Sequence, residues 1–316
     1  MPGGCGSCGT NACCTCGWQH RVAVFGEYLY LRVRDNEVPY GVEFDGPLNS
    51  PSDVPLQQGP VGLIDQDYSS GFRAGFDITM DCYSAIRASY SYFDTSSSDE
   101  LVRQDVNNVV RSLVRHPSSI NVASDGPIAT GRHDIRFDLI DVEYRSILHA
   151  SCDHEITWLA GVRYGRLEQH FDSLFGVNGI DVVETDLDFD GAGVRLGLEG
   201  ERYLRNRQLM VYGKAAVSFL AGEFTADYFQ ASATDPQVVS TGWKAGRIVS
   251  IWDLEMGAGW VSKGGHLRLT AGYVFSVWDN VVKTDEWIHS VQRNDYLGLG
   301  DRMTLDGFVG RVEARF

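Results

Sequence analysis

Apolar and polar residues alternate along ten short segments between residue 19 and the C-terminus. In Phe72–Ile78, for example, the apolar residues take the even positions and Arg73, Gly75 and Asp77 take the odd ones. Successive side chains of a β-strand point to opposite faces, so each segment has one apolar face and one polar face. The predicted strands lie within residues 20–33, 72–78, 86–92, 135–148, 158–165, 192–199, 209–219, 252–260, 267–275 and 308–316.

The connections between these segments alternate between short and long. Residues 81–83, 151–154, 204–207 and 263–265 form tight turns, whereas residues 35–68, 98–133, 173–186, 224–241 and 279–301 form long loops. Barrels of the bacterial outer membrane have short periplasmic turns and long extracellular loops. The chain is therefore predicted to be all-β: an antiparallel transmembrane β-barrel of about ten strands over residues 19–316, with both termini periplasmic. Residues 1–18 form a cysteine-rich tail.

A soluble β-sandwich also alternates apolar and polar residues, and it is the main alternative fold. Three features favour the membrane barrel. The polar faces carry Arg, Asp and Glu repeatedly, the apolar faces carry Trp, Tyr and Phe near the segment ends, and Phe316 closes the last alternating segment. No run of 18 apolar residues occurs, so a transmembrane helix is not predicted.

Three stretches depart from the simple pattern. The segment 20–33 has apolar residues on both faces, and 135–148 is expected to change face near Leu139–Ile140, as a bulge allows. Apolar residues at helical spacing within Leu101–His116 predict a short amphipathic helix at the barrel mouth, with an extended strand tip as the alternative.

The first long loop, residues 35–68, has seven acidic residues and no Lys or Arg. It is interpreted as a solvated surface loop, or alternatively as a negative vestibule that attracts cations.

The charged faces of the strands are expected to line the lumen. Ten strands give a backbone radius of roughly 10 Å, so any bore is narrow. The charges then form either a salt-bridged plug or a constriction that selects ions. The predicted pore-lining residues are Arg73, Asp77, Arg87, Asp141, Glu143, Arg145, Arg163, Arg195, Glu199, Lys214, Asp253, Glu255, Arg268, Arg311, Glu313 and Arg315.

The seven cysteines are candidates for disulfide bonds, because thiols oxidise in the periplasm. A zinc site is a weaker alternative, since zinc favours two well-spaced ligand pairs and no histidine lies among the tail cysteines. A lipid anchor is a further alternative, although no lipobox precedes a cysteine. The cysteines are Cys5, Cys8, Cys13, Cys14 and Cys16 in the tail, and Cys82 and Cys152 in predicted periplasmic turns.

Evidence for an enzyme is weak. His133 and Asp134 lie at the outer end of one predicted strand, and His170 and Asp172 at the outer end of another, where some ten-stranded outer-membrane barrels carry protease residues. No Gly-x-Ser-x-Gly, His-Glu-x-x-His or phosphate-binding loop occurs. The net charge of −15 also argues against binding nucleic acid. We therefore expect no enzymatic activity and no cofactor.

Several short motifs of glycine and aromatic residues occur along the chain. They are Glu27–Arg32 (EYLYLR), Gly161–Tyr164 (GVRY), Asp188–Gly200 (DFDGAGVRLGLEG), Val211–Ala215 (VYGKA) and Ala314–Phe316 (ARF). These motifs resemble those of the Legionella-type major outer-membrane protein family of pore-forming barrels. The resemblance covers nearly all of residues 18–316 and implies passive transport.

The favoured function is a porin-like pore for ions and small solutes in the bacterial outer membrane. A closed structural or surface-interaction barrel is the alternative, and an outer-membrane enzyme is third. The expected partners are outer-membrane lipid and the barrel assembly machinery, together with the diffusing solutes. A second copy of the chain or a disulfide-linked neighbour is a further candidate.

Deletion of Phe316 is expected to reduce assembly into the outer membrane strongly while leaving export intact. The reason is that Phe316 ends an outward apolar row with Phe308 and Val312, and assembly machinery recognises the C-terminal strand of such barrels. The measurement is the amount of heat-modifiable protein in outer-membrane fractions. Normal amounts in the deletion strain would contradict the prediction.

Overall fold

The computed structural model describes residues 20–46, 56–119, 125–151, 153–176, 181–204, 208–233 and 235–316. The predictions for the tail cysteines and for Cys152 concern positions outside these ranges. Cys82, in the turn between two strands, forms a disulfide bond. The identity of the cysteine bonded to Cys82, and any further disulfides among the remaining cysteines, stay predictions.

Ten antiparallel strands close into a barrel, as predicted. They are β1 (Val22–Arg34), β4 (Ser69–Thr79), β5 (Ser84–Val102), β7 (Ile128–Ala150), β8 (His154–Phe175), β9 (Asp181–Tyr203), β10 (Leu209–Ala231), β11 (Val239–Val261), β12 (Leu267–Val281) and β13 (Asp301–Arg315). The first and last strands pair to close it, and the amide of Phe316 donates to the carbonyl of Val22 at 2.8 Å. The described residues contain no helix long and apolar enough to cross a membrane.

An apolar belt surrounds the lower part of the barrel. On every strand it is formed by alternate outward residues that remain exposed, such as Val194, Leu196 and Leu198 on β9. Such a belt is about 25 Å tall in outer-membrane barrels. Exposed aromatic residues lie near its upper edge, and Tyr164 there donates a hydrogen bond to Asp190 at 2.6 Å. The outer wall over this height therefore meets lipid.

Above the belt the pattern reverses without any change of face. On β7, Ile140 and Val142 are exposed to lipid and Asp141 is buried inside, whereas higher up Arg136 is exposed and Phe137 is buried. The predicted face change near Leu139–Ile140 is therefore wrong. Pairing is continuous there, and the register shift between β7 and β8 lies instead at 147–149. The segment 20–33 reverses in the same way.

Five strands continue far above the belt. The strands β7 to β11 have 22 or 23 residues each, about twice the length that a bilayer requires. The predicted long loops 173–186 and 224–241 are consequently wrong, since most of their residues belong to strands. The short connections at the opposite, periplasmic end are as predicted.

The remaining elements fold over the extracellular mouth. A three-stranded sheet of β2 (Val38–Phe44), β3 (Gln57–Ile64) and β6 (Val109–Ser112) buries Tyr40 and Ile64 against the barrel. Of the two alternatives for Leu101–His116, the extended strand tip agrees with the structure and the helix is wrong, because this stretch holds the end of β5 and the extended β6. The described residues contain one α-helix, α1 (Thr284–Arg293), in the last loop. The described residues of the first loop, 35–46 and 56–68, are therefore part of a folded roof rather than a freely solvated segment.

Cysteine labelling of intact cells tests the orientation. In a background without other reactive thiols, Val106→Cys in the roof should react with a membrane-impermeant maleimide. Lys263→Cys in the turn between β11 and β12 should react only after permeabilisation, since that turn faces the periplasm. Both positions are exposed, so accessibility to the reagent is matched. The reverse pattern would contradict the assigned topology.

Candidate functional site in the barrel interior

The structure places all sixteen predicted pore-lining residues on the inner face of the barrel. They lie at the height of the apolar belt, where outward positions are apolar and inward positions are free to be polar. Two further acidic residues that the sequence analysis missed, Glu27 and Glu201, join them through ion pairs with Arg73, Arg311 and Arg268. Glu27 was overlooked because its neighbours on the inner face of β1, Phe25 and Leu29, are apolar.

These eighteen residues form an interior charge network in which each side chain has an oppositely charged partner. In one group, Arg163 bonds both carboxylate oxygens of Asp141 at 2.6 and 2.9 Å and reaches Asp253 at 2.9 Å. Arg195 bonds the same Asp253 at 2.6 Å and Glu143 at 2.6 Å. Such charge-assisted bonds compensate for the loss of hydration of buried charges.

Two other groups contain most of the remaining residues of the network. Arg87 bonds Asp77 at 2.6 Å and Glu199 at 3.4 Å, and Arg145 pairs with the same two carboxylates. The largest group connects Lys214, Glu255, Arg73, Glu27, Arg311, Glu313 and Arg315.

The network is electrically balanced. It contains nine basic residues and nine acidic ones once Glu27 and Glu201 are added to the seven acids predicted from the sequence. A cavity of about 170 Å³ opens within it towards the periplasmic end, lined by residues that include Arg268, Glu313 and Arg315. A smaller cavity of about 60 Å³ lies among Arg73, Glu143 and Asp253. A cavity needs a volume of roughly 10–15 Å³ to hold one water molecule, so both cavities can hold water.

An apolar layer fills the barrel directly above the interior charge network. Its side chains come from strands around the circumference and have at most 6% exposure. Aromatic rings pack across it, with centroids 5.3 Å apart for Phe93 and Phe137, 5.6 Å for Phe137 and Trp278, and 4.7 Å for Phe189 and Phe224. The layer consists of Leu29, Phe93, Phe137, Leu139, Leu167, Phe189, Leu220, Phe224, Ile251, Trp278 and Leu305.

Buried polar contacts hold the helix α1 above this layer. Thr284, at the start of the helix, is within hydrogen-bond distance of His133 Nε2 at 3.1 Å, and Gln169 donates to the carbonyl of Val282 at 2.9 Å. The apolar side of the helix, including Trp287 and Val291, is buried. The roof thus closes the barrel by packing and by specific hydrogen bonds.

Lys283 adds a charged contact at the edge of this roof. It bonds Asp301 at 2.6 Å and the carbonyl of Asp35 at 2.8 Å. Burial disfavours the charged ammonium, but the hydrogen bond to Asp301 and nearby carboxylates raise the pKa of Lys283 above its ordinary value. Lys283 therefore remains charged and connects the last loop to the first loop.

Of the four residues in the two histidine–aspartate pairs, His133 lies inside the barrel, whereas Asp134, His170 and Asp172 share the outer wall, with Asp134 directly opposite His170. His133 is fully buried inside the barrel, whereas Asp134 points outward, because neighbours on a strand face opposite ways. His170 lies on the outer wall, with Nδ1 2.6 Å from Asp186 and Nε2 3.9 Å from Asp172. The described residues contain no cluster of His, Cys, Asp or Glu suited to hold a metal.

The belt, the paired interior charges and the closed ten-stranded barrel define a bacterial outer-membrane β-barrel protein. The family model of the Legionella pneumophila major outer membrane protein precursor matches residues 10–306. The chain belongs to this family, as the short motifs of the sequence predicted. No curated protein is similar to the chain at a significant level.

A solved outer-membrane protein has a similar fold. The outer membrane protease OmpT of Escherichia coli is 10% identical, with a TM-score of 0.54 over 93% of this chain and 96% of that chain. The toluene transporter TodX of Pseudomonas putida is 10% identical, with a TM-score of 0.37 over 94% of this chain and 90% of that chain. At such identities the likeness to OmpT concerns the fold alone.

Replacing Glu27 by Gln is expected to destabilise the barrel by about 3 kcal/mol, because the buried Arg311 and the partly buried Arg73 lose their shared negative partner. The Glu27 side chain is 1% exposed and lies 2.7 Å from Arg73 and 3.1 Å from Arg311. The measurement is reversible urea unfolding of the protein in lipid vesicles.

The matched control is Asp134→Asn, which removes the acid of a pair with Arg132 at 3.0 Å on the outer wall. The side chains of Asp134 and Arg132 are 28% and 55% exposed, so the expected loss of stability is below about 1 kcal/mol. Equal losses in the two variants would show that the interior pairs are not specially important for stability.

Proposed function

We propose that the protein is a closed outer-membrane barrel with a structural and surface-interaction role. The observation that carries this proposal is the apolar layer, whose buried aromatic and aliphatic side chains lie across the barrel above the interior charge network. Ions need water or polar ligands throughout their path, and a tightly packed apolar layer offers neither. This apolar layer therefore favours the closed structural barrel over the open pore.

The shape of the extracellular part supports the same role. The long strands β7 to β11 raise the barrel wall well above the lipid belt, and the three-stranded sheet and α1 cover its end. A roof of this kind presents a stable surface to the outside of the cell. We propose a function without catalysis or cofactor.

A narrow ion pore is the second candidate. The specific observation in its favour is the space for water within the interior charge network, where the cavity of about 170 Å³ reaches the periplasmic end. For this function the apolar layer must move or repack to complete the path. The charge balance of the network then predicts weak ion selectivity.

Planar-bilayer recording separates the two candidates. Purified wild-type protein is expected to insert without producing conductance steps. The double variant Phe137→Ala, Trp278→Ala removes two large side chains from the apolar layer and should produce small conductance steps. Insertion is verified independently by heat modifiability of protein recovered from vesicles.

The matched control is Trp252→Ala, which truncates an aromatic residue on the lipid-facing wall, where the side chain is 50% exposed. It should remain silent, like the wild type. Steady conductance of the wild type would overturn the closed-barrel proposal in favour of the pore. A silent double variant that folds and inserts would show that the apolar layer is not the principal barrier.

A further inference from the structure

A groove of about 630 Å³ lies on the outer wall where the barrel closes. It is lined by Tyr28 and Tyr30 of β1, by Ala271 and Gly272 of β12, and by Phe308, Val309 and Gly310 of β13. The lining is almost wholly apolar, and the groove lies within the belt that contacts lipid. Its natural occupant is therefore a hydrocarbon chain from the membrane.

Glycine forms the floor of this groove, and large aromatic side chains form its walls. A Cβ atom placed on Gly310 would meet nothing within 4 Å, so the space above this residue is open. The rings on either side are fixed by contacts of their own. Tyr30 stacks on Tyr68 at 5.3 Å, and Phe308 packs edge-on against Tyr273 at 5.3 Å. The groove is therefore a preformed depression rather than a gap between mobile side chains.

Basic residues stand directly above the groove. Arg32 and Arg34 occupy the next two outward positions of β1 after Tyr30, each about 7 Å further along the strand. Each pairs with a single carboxylate, Asp65 for Arg32 and Asp306 for Arg34. A guanidinium has five N–H donors, and the side chains of Arg32 and Arg34 remain 26% and 45% exposed beside their carboxylate partners. Both guanidinium groups can thus donate further hydrogen bonds to an anionic partner.

The opposite wall has a different charge. Above the belt, the outward residues of β7 to β9 include three arginines, Arg132, Arg136 and Arg166, but many more acids. These acids are Asp134, Asp138, Glu168, Asp172, Glu184, Asp186, Asp188 and Asp190. An anionic headgroup is repelled by that wall, whereas at the closure seam the charges of Arg32 and Arg34 are matched one to one by those of Asp65 and Asp306.

We infer that the groove and the two arginines form a binding site for an anionic lipid of the outer leaflet. One acyl chain lies over Gly310 between the aromatic walls, and a phosphate of the headgroup bonds Arg32 and Arg34. Guanidinium groups bind phosphate through paired, charge-assisted hydrogen bonds. This inference does not depend on whether the barrel conducts.

Native mass spectrometry of the full-length protein in mild detergent tests the acyl-chain part. The probes are phosphatidylglycerol, diphosphorylated lipid A and uncharged diacylglycerol. Gly310→Leu fills the groove and should weaken binding of both anionic lipids about tenfold. Gly213→Leu is the matched control, since Gly213 is an outward glycine of β10 outside this groove, where a Cβ atom would meet only the Glu255 backbone oxygen at 3.9 Å. Equal effects of the two variants would overturn the site.

The headgroup part has its own variants. Arg32→Gln combined with Arg34→Gln should weaken binding of the anionic lipids about tenfold and leave diacylglycerol unaffected. The control pair, Arg132→Gln with Arg136→Gln on the opposite wall, should have no effect. Tight binding of either anionic lipid supports the inference, and the stronger one identifies its source. Binding of diacylglycerol equal to that of both anionic lipids would contradict a role for the arginines.

Discussion

The boundary between lipid and water on the outer wall determines the arrangement of nearly every side chain in the barrel. Below it, outward residues such as Val142 meet hydrocarbon, and inward residues such as Asp141 can be charged. Above it, outward residues such as Arg136 meet water, and the inward Phe137 contributes to an apolar core. The outer face of one strand therefore contacts lipid below this height and water above it. The alternation of apolar and polar residues reverses at that height with no change in backbone conformation.

This reversal explains which features the sequence could predict. The ten strands were recognisable because apolar residues alternate over the height of the membrane, and the same rule identified sixteen interior charges. The alternation rule failed where the outer wall faces water. Residues 173–175, 181–186, 224–231 and 239–241, at the upper ends of β8 to β11, were therefore assigned to loops. The charge of Glu27 was hidden for a related reason, since β1 carries Phe25 and Leu29 on the same inner face.

The structure of the roof could not be predicted from the sequence, for a different reason. The helix α1 has Trp287, Ile288 and Val291 on one side, and this spacing was visible in the last loop. Its position depends on buried partners from distant parts of the chain, including His133 and Gln169. A ten-residue helix is marginal by itself, so tertiary packing rather than local propensity decides that it forms.

The paired charges inside the barrel also bear on how the strands find their register. In β-structure a shift of one residue moves every side chain to the opposite face. Here such a shift on β9 would place Arg195 and Glu199 in lipid and Leu196 among charges. An arginine on the lipid face costs about 2–4 kcal/mol at the bilayer midplane, and the charge left behind would lose its partner. A closed barrel could fill its interior with apolar residues throughout, but then a slipped strand would be penalised far less. The interior charge network thus makes the native register specific even where no ion passes through it.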